Sequence, residues 1–318
     1  MGVEWRRKWA EYFTVQPPPH PTYDLEQVIQ AALDEDAGGL GDITTLSTVP
    51  EGTEAEATFL AKDDGVLAGV GVAEVVIRMV DATLELQWFH KDGARVNKGD
   101  IIGKLSGRAQ PILVAERVAL NFMQRMSGIA TATAQMVAAA GPGGARIMET
   151  RKTVPGLRLL DKWAVLVGGG VNHRIGLYDM AMIKDNHIAA AGGLAAACSR
   201  CDAYLKDKSI DAEIEVETRT LEEVQQACAY LDNHKGATRV ARVMLDNMVK
   251  REGGGVDTLM LEKAVEMIGG RCATEASGNV TLETVGAIAA VKGLTYVSCG
   301  ALTHSVKALD ISLNIETQ

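Results

Sequence analysis

The sequence has few aromatic residues and no surplus of positive charge. Phenylalanine, tryptophan and tyrosine make up 4% of the 318 residues, and the formal net charge is −9 at neutral pH. Proteins that bind DNA or RNA by base stacking and phosphate contacts need both features, so nucleic acid is not the expected partner. Basic residues that cluster despite this acidic balance would instead indicate one specific anionic ligand.

Cysteine is also scarce. The five cysteines are dispersed, at Cys198, Cys201, Cys228, Cys272 and Cys299. An odd number of scattered cysteines in a chain of this length indicates a reduced protein without a disulfide framework. Cys198 and Cys201 have the spacing of a metal or redox pair, but no second pair accompanies them, so we expect neither function there.

Long apolar runs are absent as well. No stretch approaches the ~18 consecutive apolar residues that indicate a membrane helix, so no membrane association is expected. The opening segment, residues 1–13, lacks the apolar centre of a secretory signal. It fits the remnant of an organelle transit peptide, a tag or a first helix. We therefore expect a soluble intracellular protein, either cytoplasmic or from a plastid or mitochondrion.

The second half of the chain repeats one pattern, in which a short apolar run ends in small polar or charged residues. The six polar clusters are Glu149–Lys152, Lys184–His187, Glu215–Thr218, Asp246–Asn247, Glu275–Asn279 and Ser298–Gly300. A helical stretch follows most of them, at intervals of roughly 20 to 35 residues, which predicts a parallel α/β barrel. The chemistry of such barrels lies where the strands end.

The first half predicts an α+β domain with a mostly antiparallel sheet. Strand-like runs lie at 57–61, 66–69, 84–88 and 101–105, and helices are predicted near 72–80, from Tyr23 to Gly38, and over 114–126. We expect Ser127-Gly128 to end or bend the last helix and Asp42–Thr45 to form a turn.

These patterns divide the chain into four segments. Residues 1–22 form an extension with a proline-rich linker, residues 23–126 the α+β domain, and residues 127–304 the barrel. Residues 305–318 are expected to return to the N-terminal domain, with 306–315 as a helix.

Five basic residues fall at predicted strand ends or in the loop after a run of three glycines. They are Arg151, Lys152, His173, Arg174 and Lys184. Arginine binds carboxylates through two parallel hydrogen bonds, and lysine adds a compact charge. At one end of a barrel, this set suits a small ligand with two carboxylates. The alternative is that each cation pairs with an acidic residue at the rim.

Two acidic residues, Glu217 and Asp246, end strands of the predicted barrel. Such carboxylates can hold a hydrated Mg²⁺ and ribose hydroxyls, or stabilise positive charge that develops at a sugar carbon. The alternative role is helix N-capping, which competes most strongly for Asp246.

Small residues end the last two predicted strands: Ser277, Gly278, Asn279, Ser298 and Gly300. Barrels frequently bind phosphate at this position through backbone N–H groups, although a plain turn has the same composition. Arg117 shares a face of its helix with Asn121 and Gln124. Its pattern alone favours a solvated or ion-paired arginine.

Longer motifs resemble those of the quinolinate phosphoribosyltransferase family, in its plant-type branch. They are Glu149–Arg158, Gly170–Arg174, Ile183–His187 and Ser298–Ser305, with Asp42–Thr45 and Glu116–Asn121 matching as well. The resemblance runs from about Asp24 to the C-terminus. It implies the type II phosphoribosyltransferase fold, in which an α+β sandwich-like domain precedes an incomplete parallel α/β barrel.

The family's reaction joins quinolinate to 5-phosphoribosyl-1-pyrophosphate with loss of pyrophosphate and CO₂. It yields nicotinate mononucleotide for NAD biosynthesis. The resemblance implies Mg²⁺ as the cofactor, held through water by Glu217 and Asp246. It also implies a homodimer, or a hexamer as the larger assembly.

The resemblance also implies a role for each candidate residue. The quinolinate ligands would be Arg151, Lys152, His173, Arg174, Lys184 and, from the neighbouring subunit, Arg117. The phosphoribosyl pyrophosphate ligands would be Glu217, Asp246, Ser277, Gly278, Asn279, Ser298 and Gly300. Lys152, Glu217 and Asp246 would be catalytic.

Two other functions compete with this one. A related phosphoribosyltransferase could act on nicotinate or another pyridine acid, and substrate competition would distinguish it. A barrel that binds phosphoribosyl ligands for regulation would need no carboxylates near the sugar carbon, so Glu217 and Asp246 argue against it.

Overall fold

The computed structural model describes residues 14–252 and 255–317, which divide into two compact units. Unit 1 contains the described residues up to Ala134, Thr153–Gly169, and the described residues from Leu302 onwards. Unit 2 contains Gln135–Lys152 and Gly170–Ala301. The opening segment, which the sequence leaves open between a transit-peptide remnant, a tag and a helix, lies outside the described residues.

The described residues form helices and strands in the following order along the chain. The strands are β1 (Glu54–Ala61), β2 (Gly65–Val66), β3 (Glu85–Trp88), β4 (Arg95–Val96), β5 (Ile101–Arg108), β6 (Arg146–Met148), β7 (Met180–Ile183), β8 (Glu213–Thr218), β9 (Val240–Asp246), β10 (Lys250–Glu252), β11 (Gly255–Asp257), β12 (Ala273–Ser277), β13 (Tyr296–Ser298) and β14 (Ile311–Thr317). The helices are α1 (Leu25–Ala37), α2 (Ile43–Thr48), α3 (Val70–Val80), α4 (Ala109–Ala140), α5 (Arg158–Val167), α6 (Asp185–Ala191), α7 (Leu194–Asp207), α8 (Leu221–Asn233), α9 (Leu259–Ile268), α10 (Val285–Ala289) and α11 (Ala301–His304). Within the described part of the chain, no helix has both the length and the apolar character needed to cross a membrane.

Unit 1 is built on a four-stranded antiparallel sheet in the order β14-β1-β5-β3, which confirms the predicted antiparallel layer. Alternate residues of β1 point into the core, where Ala55, Ala57, Phe59 and Ala61 are buried. The helices predicted near 72–80 and from Tyr23 to Gly38 are confirmed as α3 and α1.

Two predictions for the ends of unit 1 are wrong. Asp42–Thr45 is not a turn but the start of α2, because the Asp42 carboxylate accepts hydrogen bonds from the backbone N–H groups of Thr44 and Thr45, both at 3.0 Å. The C-terminal segment is not a helix but the strand β14, which pairs antiparallel with β1. Its buried residues Ile311 and Leu313 recur every second position, as in a strand.

The helix predicted over 114–126 also continues beyond its expected end, because Ser127 and Gly128 serve packing rather than termination. The Ser127 hydroxyl accepts a hydrogen bond from the Ala68 N–H at 2.9 Å and donates one to the Ala68 carbonyl at 3.0 Å. A Cβ atom on Gly128 would lie 2.3 Å from the Lys307 carbonyl oxygen. Glycine therefore lets the chain at 307–308 pass directly against α4.

Unit 2 is built on a six-stranded parallel sheet in the order β6-β13-β12-β9-β8-β7. All six strands that the polar clusters predicted are present. The outermost strands, β6 and β7, are edge strands of this sheet, so it is an incomplete barrel, as the resemblance implied. The ladder pairs Asp246 with Ser277, Ser277 with Ser298 and Ser298 with Met148, so four strands end at one level.

We expect the Gly128→Ala variant to lose about 1–3 kcal/mol of unfolding free energy, because the added methyl group meets backbone rather than a flexible side chain. Gly39→Ala is the matched control in the same unit, since no atom lies within 4 Å of the Cβ position there. Urea unfolding measures both. Equal midpoints for the two variants would contradict the packing role of Gly128.

Candidate active site

The loop that carries His173 and Arg174 is fastened to the end of β6 by a buried glutamate. The Glu149 carboxylate is fully buried and accepts hydrogen bonds from the Asn172 side-chain amide and the His173 backbone N–H, both at 3.1 Å. Arg151 and Lys152 follow Glu149 directly along the chain. The Glu149 carboxylate therefore links the segment that carries Arg151 and Lys152 to the loop that carries His173 and Arg174.

Arg151 and Arg174 lie close enough for their charges to interact. Burial, and then the positive charge of Arg151, lower the pKa of the Arg174 guanidinium. The Arg174 Nη1 atom donates to the Met180 carbonyl at 3.1 Å, which fixes its orientation beside β7. Glu215 and Asp179 offset part of the decrease in the pKa of Arg174, and two neighbouring guanidinium groups suit the binding of a carboxylate.

Lys184 lies at the end of β7 and already has a carboxylate partner. Its Nζ atom is 2.7 Å from the Oε2 atom of Glu217, which is 5% exposed. For this cation the rim ion pair considered from the sequence does form. The ion pair therefore places Lys184, a predicted ligand of quinolinate, next to Glu217, a predicted ligand of phosphoribosyl pyrophosphate.

Asp246 ends β9 and is not a helix N-cap, so that alternative is wrong. The next helix, α9, begins after Thr258, and β10 and β11 come before it. The Asp246 carboxylate instead accepts a hydrogen bond from the Asn247 amide at 2.9 Å and lies 3.4 Å from the Nε atom of Arg219.

Arg219 contacts the candidate residues but was missed by the sequence analysis. Its guanidinium lies 3.0 Å from Glu217 and 2.7 Å from Asp185, in addition to its contact with Asp246. Arg219 directly follows β8, whose penultimate residue is the predicted Glu217. This position in the sequence was the signal that could have identified it.

The small-residue set forms a tight backbone turn at the end of β12. Gly278 and Asn279 have positive φ angles of 90° and 57°, a conformation that disfavours larger side chains. A Cβ atom on Gly278 would lie 2.2 Å from the Asn247 side-chain oxygen, so the neighbouring strand end packs directly on this glycine. Ser298 and Gly300 lie at the adjacent end of β13, and Asp246, Ser277 and Ser298 are aligned across the ladder.

His173 points into the sheet toward two buried carboxylates. Its Nε2 atom lies 3.0 Å from Glu215 and 3.4 Å from Glu275, and both glutamates are fully buried. Arg242 adds a second cation, with its Nη1 atom 3.0 Å from Glu275 and its guanidinium 4.5 Å from the centre of the Tyr296 ring. Two cations and two carboxylates form a balanced group, which we name the buried charge cluster (His173, Glu215, Arg242, Glu275).

Burial alone would lower the pKa of His173, but hydrogen bonds to Glu215 and Glu275 outweigh it and raise the pKa to about 9. Burial raises the pKa of Glu215, whereas contact with the His173 imidazolium overcomes burial and lowers that of Glu275. The ligand atoms of these three residues lie within 4.8 Å of one another, a spacing that a metal ion could use. Arg242 makes that unnecessary, because it already supplies the second cation.

The buried charge cluster was missed except for His173. Glu215 and Arg242 are register partners in the ladder between β8 and β9, and each is a buried residue of its strand. A charge inside a buried strand needs a partner, which was the usable signal.

The predicted Arg117 belongs to unit 1, where its side chain is exposed and lies 3.7 Å from Glu116. The other candidate residues all lie in unit 2.

Comparison with known families gives matches over nearly the whole chain. Residues 42–127 match the model described as quinolinate phosphoribosyl transferase, N-terminal domain, and residues 129–314 match the corresponding C-terminal domain.

Individual relatives agree with the family models. The chain is 59% identical over 305 residues to an Arabidopsis thaliana protein named nicotinate-nucleotide pyrophosphorylase [carboxylating], chloroplastic, covering 96% of this chain and 86% of that protein. It is 57% identical over 310 residues to quinolinate phosphoribosyltransferase [decarboxylating] 2, mitochondrial, of Nicotiana glauca, covering 97% and 87%. The solved structure of the nicotinate-nucleotide pyrophosphorylase from Francisella tularensis superposes with a TM-score of 0.81 at 33% identity, covering 96% of this chain and all of that one.

We expect NMR titration to give His173 a pKa of about 9, and a lower one in the Glu275→Gln variant, which removes one anionic partner. Because the folded pKa lies above the ordinary histidine value of 6.5, this interaction contributes fully to stability below about pH 6.5. The contribution is lost as the pH rises through about 9.

Glu222→Gln, an exposed change on α8, is the control for the loss of one carboxylate. A His173 pKa near 6.5 in the unmodified protein would contradict the buried charge cluster.

Proposed function

Because the chain belongs to the quinolinate phosphoribosyltransferase family, we propose that it joins quinolinate to 5-phosphoribosyl-1-pyrophosphate, releasing pyrophosphate and CO₂. The product, nicotinate mononucleotide, would serve NAD biosynthesis. The observation that carries the proposal is the alignment of cations, carboxylates and small residues at the carboxyl ends of the unit 2 strands.

The cationic residues would bind the two carboxylates of quinolinate. The charges of Arg151 and Arg174 interact, and guanidinium groups suit bidentate carboxylate binding. Lys152 follows Arg151, and Lys184 lies directly after β7 with Glu217 as its partner. His173 would act differently, because its Nε2 atom faces Glu215 and Glu275. It would contribute positive charge from beneath the site.

Glu217 and Asp246 would act on the sugar. As the ring nitrogen of quinolinate attacks C1 and the C1–O bond to pyrophosphate breaks, positive charge develops on the ribose. Carboxylates near C1 stabilise that charge more in the transition state than in the ground state, which accelerates the reaction.

Loss of CO₂ then needs little from the protein. The electron pair of the broken C–C bond remains at ring C2, beside the positively charged ring nitrogen, until C2 takes up a proton. The residues of the site would mainly position the ring, which accounts for a basic pocket in an acidic protein.

The donor set fits the Mg²⁺ that the family resemblance implies. Carboxylate oxygens of Glu217 and Asp246 lie around the same guanidinium, and carboxylates with retained waters are the usual ligands of this ion. When bound, Mg²⁺ would neutralise charge on the departing pyrophosphate. Gly278, Asn279, Ser298 and Gly300, with Ser277, would hold the 5-phosphate at the turn after β12 and β13.

A neighbouring copy of the chain would complete the site. Arg117 is exposed in unit 1, and we propose that it reaches the quinolinate pocket of the partner subunit in a homodimer, either alone or within a hexamer. We further propose a plastid or mitochondrion as the compartment. The support is that the Arabidopsis relative is named chloroplastic and the Nicotiana relative mitochondrial.

The direct test is to incubate the protein with quinolinate, phosphoribosyl pyrophosphate and Mg²⁺ and to detect nicotinate mononucleotide by mass spectrometry. Nicotinate is the parallel substrate. We expect product from quinolinate with release of one CO₂ per product. Product from nicotinate alone would assign the chain to a related transferase, and no product from either would overturn the proposal.

We expect Lys152→Ala and Arg174→Ala to reduce turnover by at least about 100-fold, because each removes a cation from the carboxylate site. Lys206→Ala, an exposed change on α7, should keep full activity. Circular dichroism and thermal unfolding confirm that each variant is folded. Unchanged turnover in a folded Arg174→Ala protein would exclude the assigned role.

A further inference from the structure

Arg219 lies between three carboxylates of the candidate site. Its three guanidinium nitrogens each face a different carboxylate: Nη1 is 2.7 Å from Asp185, Nη2 is 3.0 Å from Glu217 and Nε is 3.4 Å from Asp246. These carboxylates follow or end β7, β8 and β9, three neighbouring strands. The arginine fork therefore links the ends of three strands through charge-assisted contacts.

Two of these carboxylates, Glu217 and Asp246, are the ones assigned to a hydrated divalent cation. Lys184 neutralises the second oxygen of Glu217 at 2.7 Å, so the two cations together engage both oxygens of this carboxylate. A divalent ion that arrives alone must displace a guanidinium with three partners. Mg²⁺ also gives up its water reluctantly, which makes that exchange less favourable.

We propose that Arg219 is a resident counter-ion that excludes a free divalent cation from Glu217 and Asp246 and yields these carboxylates to a cation that arrives with pyrophosphate. The inference rests on the metal role in the proposed function. A displaced guanidinium needs a new anionic partner, and the two phosphates of the leaving group offer oxygens in the geometry that arginine prefers. Metal and phosphoribosyl pyrophosphate would then bind with positive coupling.

This coupling would make the arrival of the metal depend on the arrival of the substrate. Both strand-end carboxylates must be close to C1 of the ribose when pyrophosphate leaves, and a metal bound in advance would hold them in place without substrate. Arg219 keeps them at the same positions and is released only when the polyanion is present. It is thus a positioning residue, which acts through Glu217 and Asp246.

The experiment measures Mn²⁺ binding by electron paramagnetic resonance to the intact protein, without any substrate. We expect Arg219→Gln to bind Mn²⁺ at least about fivefold more tightly than the unmodified protein, because the competing cation is gone. Arg271→Gln is the matched control, since Arg271 forms a similar half-exposed ion pair with Asp232, 2.9 Å away, in the same unit. It should bind Mn²⁺ like the unmodified protein.

A further variant, Arg219→Lys, separates charge from geometry. It keeps the positive charge but cannot face three carboxylates at once, so its Mn²⁺ affinity should lie between those of the other two forms. Addition of phosphoribosyl pyrophosphate should then strengthen Mn²⁺ binding more in the unmodified protein than in Arg219→Gln.

Equal Mn²⁺ affinity in the unmodified protein and a folded Arg219→Gln variant would overturn the inference. So would an equal gain in Arg271→Gln, which would reduce the effect to net charge. Nicotinate mononucleotide formation, measured separately on the unmodified protein, decides the proposed function. A protein that is active but shows no difference between the variants would refute only the role of Arg219.

Discussion

The hydrogen-bonded register of six parallel strands is the constraint on which the rest of unit 2 depends. Because Asp246, Ser277, Ser298 and Met148 are aligned across the ladder, the residues that follow them emerge at one edge of the sheet. A slip of one residue in any strand would turn its inward side chains outward. In β8, Glu215 and Glu217 would then face the helices, so the buried charge cluster and the carboxylate that we propose to bind the metal would both be lost.

The interior of the sheet is held by charge as well as by apolar packing. His173 and Arg242 lie against the fully buried carboxylates of Glu215 and Glu275, and removal of one partner from such a buried ion pair is strongly destabilising. The group therefore constrains the loop of His173 and Arg174 from below, while Glu149 constrains it from the side. Rigid attachment of this loop would matter for the proposed role of Arg174, because a small error in the position of a cation that binds substrate reduces the rate strongly.

Much of this arrangement was predictable, and the exceptions have physical causes. Strand ends were visible because apolar runs stop at polar clusters, so all six strands of the parallel sheet, and the positions of the candidate residues at their ends, could be predicted. The continuation of α4 beyond Ser127-Gly128 and the C-terminal strand β14 were not predicted. The contact of Gly128 with residues 307–308 and the pairing of β14 with β1 both join segments that are far apart in sequence. Arg219 and the buried partners of His173 were missed for the same reason. The partner of a charged residue on one strand can be identified only when the alignment of that strand with its neighbours is known.

We propose that the cations at the strand ends select a ligand with two carboxylates. Calorimetric titration with phthalate and benzoate is a direct test, because both are aromatic acids without the reactive ring nitrogen, and they differ by one carboxylate. We expect phthalate to bind at least about tenfold more tightly than benzoate, a difference of about 1.4 kcal/mol, and Arg174→Ala to remove most of the difference. Equal binding of the two acids to the unmodified protein would contradict this proposal.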